Sequence, residues 1–132
     1  MTSAPIIYLV DDDPDDRYFI RQALLEARQG MEVIEASSGF ELLTLIRQQS
    51  PPYATLILMD MNMPKMSGVE TVQAMRSNPS FPLIPVVMIT TATNPVFIKS
   101  AFDAGVAGFV PKPASIKGFT DMADQLNSRY FV

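Results

Sequence analysis

The sequence contains neither cysteine nor histidine. Without cysteine, the chain cannot form a disulfide framework or use thiolate chemistry. Without histidine, it has no imidazole base, no phosphohistidine and no histidine ligand for a metal. Any chemistry must therefore depend on carboxylates, lysine amines and hydroxyl groups.

Basic residues are also scarce, with 10 Lys and Arg against 14 Asp and Glu and a formal net charge of -4. No basic run offers contacts to nucleic-acid phosphates or to an anionic membrane. The first ten residues lack the basic flank of a targeting signal, and no apolar run is long enough to span a bilayer. These absences predict a cytoplasmic protein that neither binds nucleic acid directly nor inserts into membranes.

A length of 132 residues suits one domain with one sizeable core. The chain shows no linker, repeat or low-complexity segment that would divide it. We therefore expect residues 1–132 to form a single domain.

Strand-like and helix-like segments alternate along the chain, which is typical of a parallel sheet with helices on both faces. The predicted strands cover residues 6–10, 31–36, 55–60, 84–90 and 107–110. Start and stop signals delimit the helices between them. These signals are Asp13 and Pro14 with Gly30, Ser38 with Pro51 and Pro52, Ser67 as a further capping residue, Asn94 and Pro95 with Gly105, and Ser115 with an end near Tyr130.

Polar residues follow the predicted strands at their carboxyl ends. These residues are Asp11, Asp12, Asp60, Thr90 and Lys112. In open parallel sheets, ligands bind at this edge where the strand order reverses, so residues far apart in sequence converge there. We expect these five side chains to form one site.

Carboxylates brought together repel one another by roughly 4 kcal/mol per pair at about 4 Å and an effective dielectric near 20. A divalent cation would relieve this repulsion, and Mg²⁺ prefers such hard oxygen ligands. A strand-end carboxylate at Asp60 could attack phosphorus, with Lys112 stabilising the transferred charge and Thr90 donating a hydrogen bond. The residues thus indicate magnesium-assisted phosphoryl chemistry.

Over essentially its whole length the sequence resembles the response-regulator receiver domains of two-component signalling. The resemblance lies in Leu9-Val10-Asp11-Asp12, in Met59-Asp60-Met61-Asn62-Met63-Pro64 with Gly68, in Ile89-Thr90 and in Lys112-Pro113. It implies a flavodoxin-like, doubly wound α/β fold with a five-stranded parallel sheet in the order 2-1-3-4-5.

The resemblance also implies roles for individual residues. Asp60 would accept a phosphoryl group from a sensor histidine kinase or a histidine phosphotransfer protein. Asp12, Asp60 and the Asn62 backbone carbonyl would hold Mg²⁺, or Mn²⁺ in its place, and Asp11 would assist through water. The chain would thus be a phosphoacceptor signalling protein with only self-directed phosphotransfer and autodephosphorylation.

A conformational switch and an output surface are implied as well. Thr90 would move to the phosphoryl group while the Phe109 ring turns inward, remodelling the face of the fourth helix, fifth strand and fifth helix for an unidentified protein target. The bond before Pro113 is usually cis in the family. We expect a monomer or a weak homodimer, with the carboxyl-terminal residues 130–132 either packed or in a dimer contact.

Several residues depart from the family's commonest pattern. Thr91 stands where a smaller residue often follows the switch hydroxyl, Phe109 lacks a tyrosine hydroxyl, and Ala114 replaces a frequent aromatic. Ala92 and Asn62 occupy positions where the family tunes phosphate lifetime. These differences concern phosphotransfer rate and partner choice.

Two other classes of protein remain open. Haloacid-dehalogenase-type phosphatases also use a strand-end aspartate with magnesium, but they place a second aspartate two positions later as general acid and base. Here that position holds the amide Asn62, which cannot transfer the proton. The second alternative is an adaptor that keeps the fold and binds partners without phosphorylation.

Overall fold

The computed structural model describes residues 4–50, 53–91 and 94–131. Within them, five strands alternate with five helices. The elements are β1 Ile6–Val10, α1 Pro14–Ala27, β2 Glu32–Ala36, α2 Gly39–Gln48, β3 Leu56–Asp60, α3 Gly68–Arg76, β4 Val86–Thr90, α4 Pro95–Ala104, β5 Gly108–Pro111 and α5 Ile116–Tyr130. Across these described ranges, no helix combines the length and apolar character needed to cross a membrane.

The five strands form one sheet in the order β2-β1-β3-β4-β5, and every neighbouring pair is parallel. This architecture confirms the predicted doubly wound fold and its strand order. All residues of β3 and β4 are buried, as expected for central strands covered by helices on both faces. Asp60 therefore lies at the end of the most deeply enclosed part of the sheet.

Two apolar layers enclose the sheet, one on each face. One layer contains Leu42 of α2, Met75 of α3 and Ala101 of α4. The other contains Leu24 of α1 and Phe119 of α5. Successive side chains of each strand point into opposite layers, so both faces of the sheet are covered by apolar residues. The polar residues lie at the carboxyl edge, outside these layers.

Element ends differ from the predictions by a few residues, and the chain explains two of these corrections. β4 begins at Val86 instead of residue 84, since Pro85 has no backbone N–H to donate to the sheet. α1 ends at Ala27 instead of continuing to Gly30, and Arg28 adopts an extended conformation. β2 and β3 each begin one residue later than predicted, and β5 is displaced by one residue. The predicted stop at residues 51–52 lies outside the described residues.

Each helix begins with a polar side chain that accepts a backbone N–H, as the sequence predicted. These capping residues are Asp13, Ser38, Ser67, Asn94 and Ser115. Only the α3 start forms the complete reciprocal box among the described helices, because Glu70 accepts the Ser67 N–H in return. The box predicted at Ser38 is half-formed, since Glu41 accepts a hydrogen bond from the Ser37 hydroxyl instead.

The connection between α3 and β4, residues 77–85, lies at the amino edge of the sheet. It contains three prolines, at positions 79, 82 and 85, which limit its backbone conformations. Leu83 is 87% exposed, whereas the next residue, Ile84, is 2% exposed and belongs to the core. The connection thus changes from solvent to core within one residue, at the sheet edge opposite the aspartates.

Candidate functional site

Three aspartates converge at the carboxyl ends of β1 and β3. β1 and β3 are adjacent, with Val10 opposite Met59, so the residues that follow them meet. One carboxylate oxygen from each of Asp11, Asp12 and Asp60 lies within 4.8 Å of the others. Asp11 and Asp60 are buried, whereas Asp12 is exposed. The structure therefore brings together the three predicted carboxylates in one partly enclosed cluster.

Asp11 is fully buried and incompletely satisfied. Its Oδ1 accepts the Asp13 N–H at 2.9 Å. Its Oδ2 is buried and accepts no hydrogen bond from the described residues. This oxygen forms an ion pair with Lys112 Nζ, which lies 3.2 Å away. Burial raises the pKa of Asp11, although the Asp13 N–H and Lys112 oppose this effect. The structure thus leaves one oxygen of Asp11 available to a further cation.

Asp60 combines burial with a crowded negative environment. Its Oδ1 accepts the Asn62 N–H at 3.1 Å, and its Oδ2 lies 3.6 Å from Lys112 Nζ. Burial, followed by the charge of Asp11, raises the pKa of Asp60 to about 6. Ionisation of Asp60 therefore costs more in the folded, metal-free protein than in the unfolded chain.

Lys112 contacts three carboxylates at once. Its Nζ lies 2.7 Å from Asp16 Oδ2, closer than it lies to Asp11 or Asp60. Burial alone would lower the pKa of Lys112, but the close pairing with Asp16 and the charges of Asp11 and Asp60 outweigh it and raise this pKa. Lys112 is therefore a fixed positive charge at the cluster.

The remaining predicted residues surround this centre. Thr90 is buried at the end of β4, and its carbonyl accepts the Lys112 N–H at 3.0 Å. Phe109 of β5 is half-buried, and its ring centroid lies 5.6 Å from that of Phe102. Thr91 is exposed, and Ala92 lies outside the described residues. The structure thus places the Thr90 hydroxyl on β4, the Phe109 ring on the neighbouring β5 and Lys112 directly after β5.

Gly68 allows the loop after Asp60 to close tightly. Its N–H donates to the Met61 carbonyl at 2.9 Å. A Cβ at this position would lie 2.8 Å from the Asp60 carbonyl oxygen and 2.9 Å from Met88 Sδ. Glycine is therefore required where the start of α3 approaches the end of β3.

Two residues that bear directly on this site were not predicted from the sequence. Asp16 pairs with Lys112, and the two charged atoms lie 2.7 Å apart. Arg17 donates to the Asp11 carbonyl at 2.6 Å and to Glu35 Oε1 at 3.0 Å, which ties the end of β1 to β2. Nothing in the sequence pointed to Arg17.

The donor set fits a hard divalent cation. Mg²⁺ prefers oxygen ligands and is commonly held by one or two carboxylates with water. Asp11, Asp12 and Asp60 supply only oxygens, and Asp11 Oδ2 is buried without a hydrogen bond. Since a buried carboxylate oxygen is costly without a hydrogen bond, a bound cation would supplement the single ion pair that Asp11 Oδ2 makes with Lys112.

Comparison with protein families supports the same reading of this geometry. The model of the response regulator receiver domain matches residues 7–124. The chain belongs to this family. Receiver domains are signalling modules of two-component systems that sensor kinases phosphorylate, rather than conventional enzymes, and the aspartate cluster suits the divalent metal that such domains bind.

Relatives of this receiver domain differ in their overall length. The chain is 33% identical to the chemotaxis protein CheY1 of Helicobacter pylori over 108 residues, which cover 81% of this chain and 84% of that protein. It is 36% identical over 110 residues to a probable cyclic di-GMP phosphodiesterase of Vibrio cholerae, covering 83% of this chain but 24% of that protein. The chain thus spans only a small part of some relatives.

Solved receiver structures superimpose closely on this fold. The phosphorylated cyanobacterial phytochrome response regulator RcpA gives a TM-score of 0.86 at 27% identity, covering 97% of this chain and 94% of that one. The Mn²⁺-bound form of response regulator Rcp1 gives a TM-score of 0.81 at 27% identity, covering 95% and 93%. Both are receiver-type response regulators.

Some expectations about this receiver domain stay predictions. They are the domain extent of residues 1–132, the individual roles of the site residues, the isomer of the bond before Pro113, the oligomeric state and the cytoplasmic location. Phe131 is buried, which favours a packed terminus, but Val132 lies outside the described residues.

Proposed function

We propose that this receiver domain accepts a phosphoryl group on Asp60 from a phosphohistidine of a sensor histidine kinase or a phosphotransfer protein. The supporting observation is the combination of a buried Asp60 with Lys112 and two further aspartates at one sheet edge. These 132 residues contain no histidine, so the donor phosphohistidine lies outside them. The phosphorylated protein would then signal to an unidentified protein target.

In the proposed step, a carboxylate oxygen of Asp60 forms a bond to phosphorus while the P–N bond of the donor breaks. The electron pair of that bond leaves with the imidazole, which takes up a proton. Lys112 Nζ, 3.6 Å from Asp60 Oδ2, is placed to stabilise negative charge on the phosphoryl oxygens. Burial raises the pKa of Asp60, so cation binding also favours the ionised nucleophile.

Asp12, Asp60 and the Asn62 carbonyl are the proposed ligands of Mg²⁺, with Asp11 assisting through water. Bound Mg²⁺, or Mn²⁺ in its place, would neutralise the carboxylates and the phosphoryl oxygens during transfer. The Asn62 N–H already bonds Asp60 Oδ1, so the loop that carries the proposed carbonyl ligand is tied to the acceptor.

Thr90 and Phe109 are the proposed switch residues. Both line an open cleft of about 430 Å³ that also includes Ile98 and Lys112. A phosphoryl group on Asp60 would attract the Thr90 hydroxyl, and the cleft offers space into which the Phe109 ring can turn. This movement would alter the surface formed by α4, β5 and α5.

Intact-mass spectrometry after incubation with acetyl phosphate and Mg²⁺ tests the proposal. We expect the wild type to gain one phosphate and Asp60→Asn to gain none. Asp124→Asn, which removes a charge from an exposed position on α5, is the matched control and should be labelled like the wild type. Chelation of Mg²⁺ should abolish labelling.

The other outcomes separate the competing functions. Equal labelling of the wild type and Asp60→Asn would overturn the assignment of the acceptor. Repeated turnover of a phosphomonoester would identify a phosphatase. A wild type that folds, binds Mg²⁺ and takes no phosphate would favour the adaptor.

A further inference from the structure

The acidic residue closest to Lys112 is not one of the three clustered aspartates. Lys112 Nζ lies 2.7 Å from Asp16 Oδ2, compared with 3.2 Å from Asp11 Oδ2 and 3.6 Å from Asp60 Oδ2. Both partners of the short pair are largely shielded, with side-chain exposures of 17% for Lys112 and 25% for Asp16. The phosphoacceptor reaction proposed above assigns no task to Asp16.

The backbone holds Asp16 in a defined position. Asp16 lies in the first turn of α1, and Asp13 Oδ1 accepts the N–H groups of both Asp15 and Asp16. The next residue, Arg17, bonds the Asp11 carbonyl and Glu35. The Asp16 carboxylate is therefore presented to Lys112 from a helix start that is tied to the end of β1.

Lys112 and a divalent cation compete for the same carboxylates. Asp11 and Asp60 each contact Lys112 and also contribute to the proposed metal cluster. A lysine ammonium that moved fully onto these two residues would block their oxygens and repel the cation. Asp16 offers Lys112 an alternative partner whose oxygens are outside that cluster.

We propose that Asp16 is a positioning residue that draws Lys112 away from Asp11 and Asp60 and thereby sets the Mg²⁺ affinity of the site. Its negative charge offsets the repulsion between the ammonium group and the cation, so both can occupy the cluster. This inference rests on the proposed metal site. It adds a residue that acts on the metal through Lys112 without binding it.

Isothermal titration calorimetry of the full chain with Mg²⁺ tests this role. Asp16→Asn should weaken Mg²⁺ binding about five- to tenfold, the loss expected when one partly shielded charge pair is removed. Asp15→Asn is the matched control, because Asp15 is also acidic, lies in the same helical turn and is exposed. It should change the affinity by less than about twofold, and Asp16→Glu should restore most of the wild-type affinity.

A double-mutant cycle separates action through Lys112 from other effects. Lys112→Met alone should bind Mg²⁺ more tightly than the wild type, since it removes the competing cation. In that background, Asp16→Asn should have no more effect than Asp15→Asn. A structural role in the helix start would not depend on Lys112 in this way.

Three results would overturn the inference. Equal effects of Asp15→Asn and Asp16→Asn on the Mg²⁺ affinity would mean that Asp16 contributes only through the net charge of the protein. An Asp16→Asn effect that is undiminished in the Lys112→Met background would mean that Asp16 acts directly on the metal. A folded wild type that does not bind Mg²⁺ would refute both the proposed metal site and the role of Asp16. The first two results would refute the role of Asp16 alone, so the two failures can be distinguished. Thermal unfolding is used to check that each variant folds. If Asp16→Asn does not fold, Asp16→Ser replaces it, and the same loss of Mg²⁺ affinity is expected.

Discussion

Replacement of Asp60 by asparagine should stabilise the metal-free protein. Asp60 is 6% exposed, and burial together with the nearby charge of Asp11 disfavours its ionised form. Asparagine has a similar shape but carries no charge to desolvate. Removal of the proposed acceptor should therefore increase the free energy of unfolding while it abolishes phosphorylation.

The magnitude follows from the change in pKa between the unfolded and folded states. The pKa of Asp60 rises from 3.8 to about 6 on folding. At about 1.4 kcal/mol per pKa unit, the ionised group costs the folded protein about 3 kcal/mol at neutral pH. This figure already includes the opposing charge of Lys112, and because the amide of asparagine must still be buried, we expect a net gain of about 2 kcal/mol. For a chain of this length, that gain corresponds to a melting temperature about 6–10 °C higher.

The pH dependence has a definite sign. A carboxyl group whose pKa is raised on folding holds its proton more tightly in the native state, so wild-type stability falls as pH rises from about 4 to about 6. Below about pH 4 the group is protonated in both states, and the advantage of Asp60→Asn should be lost. The difference between the two proteins should grow through this window and stay constant above it.

Circular dichroism melting curves in EDTA at pH 7.5 and below pH 4 provide the measurement. Asp124→Asn removes the same charge from an exposed site and should leave the melting temperature almost unchanged. If Asp60→Asn melts at or below the wild-type temperature at pH 7.5, the ionised Asp60 carboxylate does not destabilise the native state. An equal gain at both pH values would assign the effect to packing rather than charge.

Three further predictions concern the same structure. Mg²⁺ at a hundredfold excess over its dissociation constant should stabilise the wild type by about 2.7 kcal/mol and raise its melting temperature, and an unmoved transition would count against the metal site. Ser67→Ala removes the hydroxyl that accepts the Glu70 N–H and should lower the urea-unfolding free energy by about 1 kcal/mol, whereas no loss would show that this cap is dispensable. Arg17→Ala frees the Asp11 carbonyl and leaves Glu35 paired with Arg21, so calorimetry should show weaker Mg²⁺ binding, and unchanged affinity would refute its anchoring of the acidic loop.

The parallel sheet and the cluster of aspartates could be predicted because they depend on patterns with few solutions, whereas the strand order was implied by the resemblance to receiver domains. Alternating helices and strands specify a parallel sheet, and the ends of parallel strands share one edge. Asp11 and Asp60 therefore had to meet once β1 and β3 were recognised as neighbours. The helix starts were similarly accessible, since Ser67 and Asn94 act through bonds to residues close in sequence.

The side-chain partners could not be predicted in the same way. Lys112 has a long flexible side chain, and its preference for Asp16 depends on the geometry of two elements nearly a hundred residues apart in sequence. The half-formed box at Ser38 has a related cause, because Glu41 had a competing partner in Ser37. Tertiary geometry selects among such contacts after the backbone has been placed.

The proline-containing connection at residues 77–85 lies at the edge of the sheet opposite the aspartates, and the two edges should differ in their tolerance for insertions. The carboxyl edge carries the aspartates and fixes their spacing, so insertions there would disturb the chemistry. The amino edge, with Leu83 almost fully in solvent, is separated from them by the length of the strands. Peptide tags or fluorescent reporters inserted before Leu83 should therefore leave phosphoryl acceptance intact, and this connection offers an attachment point for a sensor of signalling state.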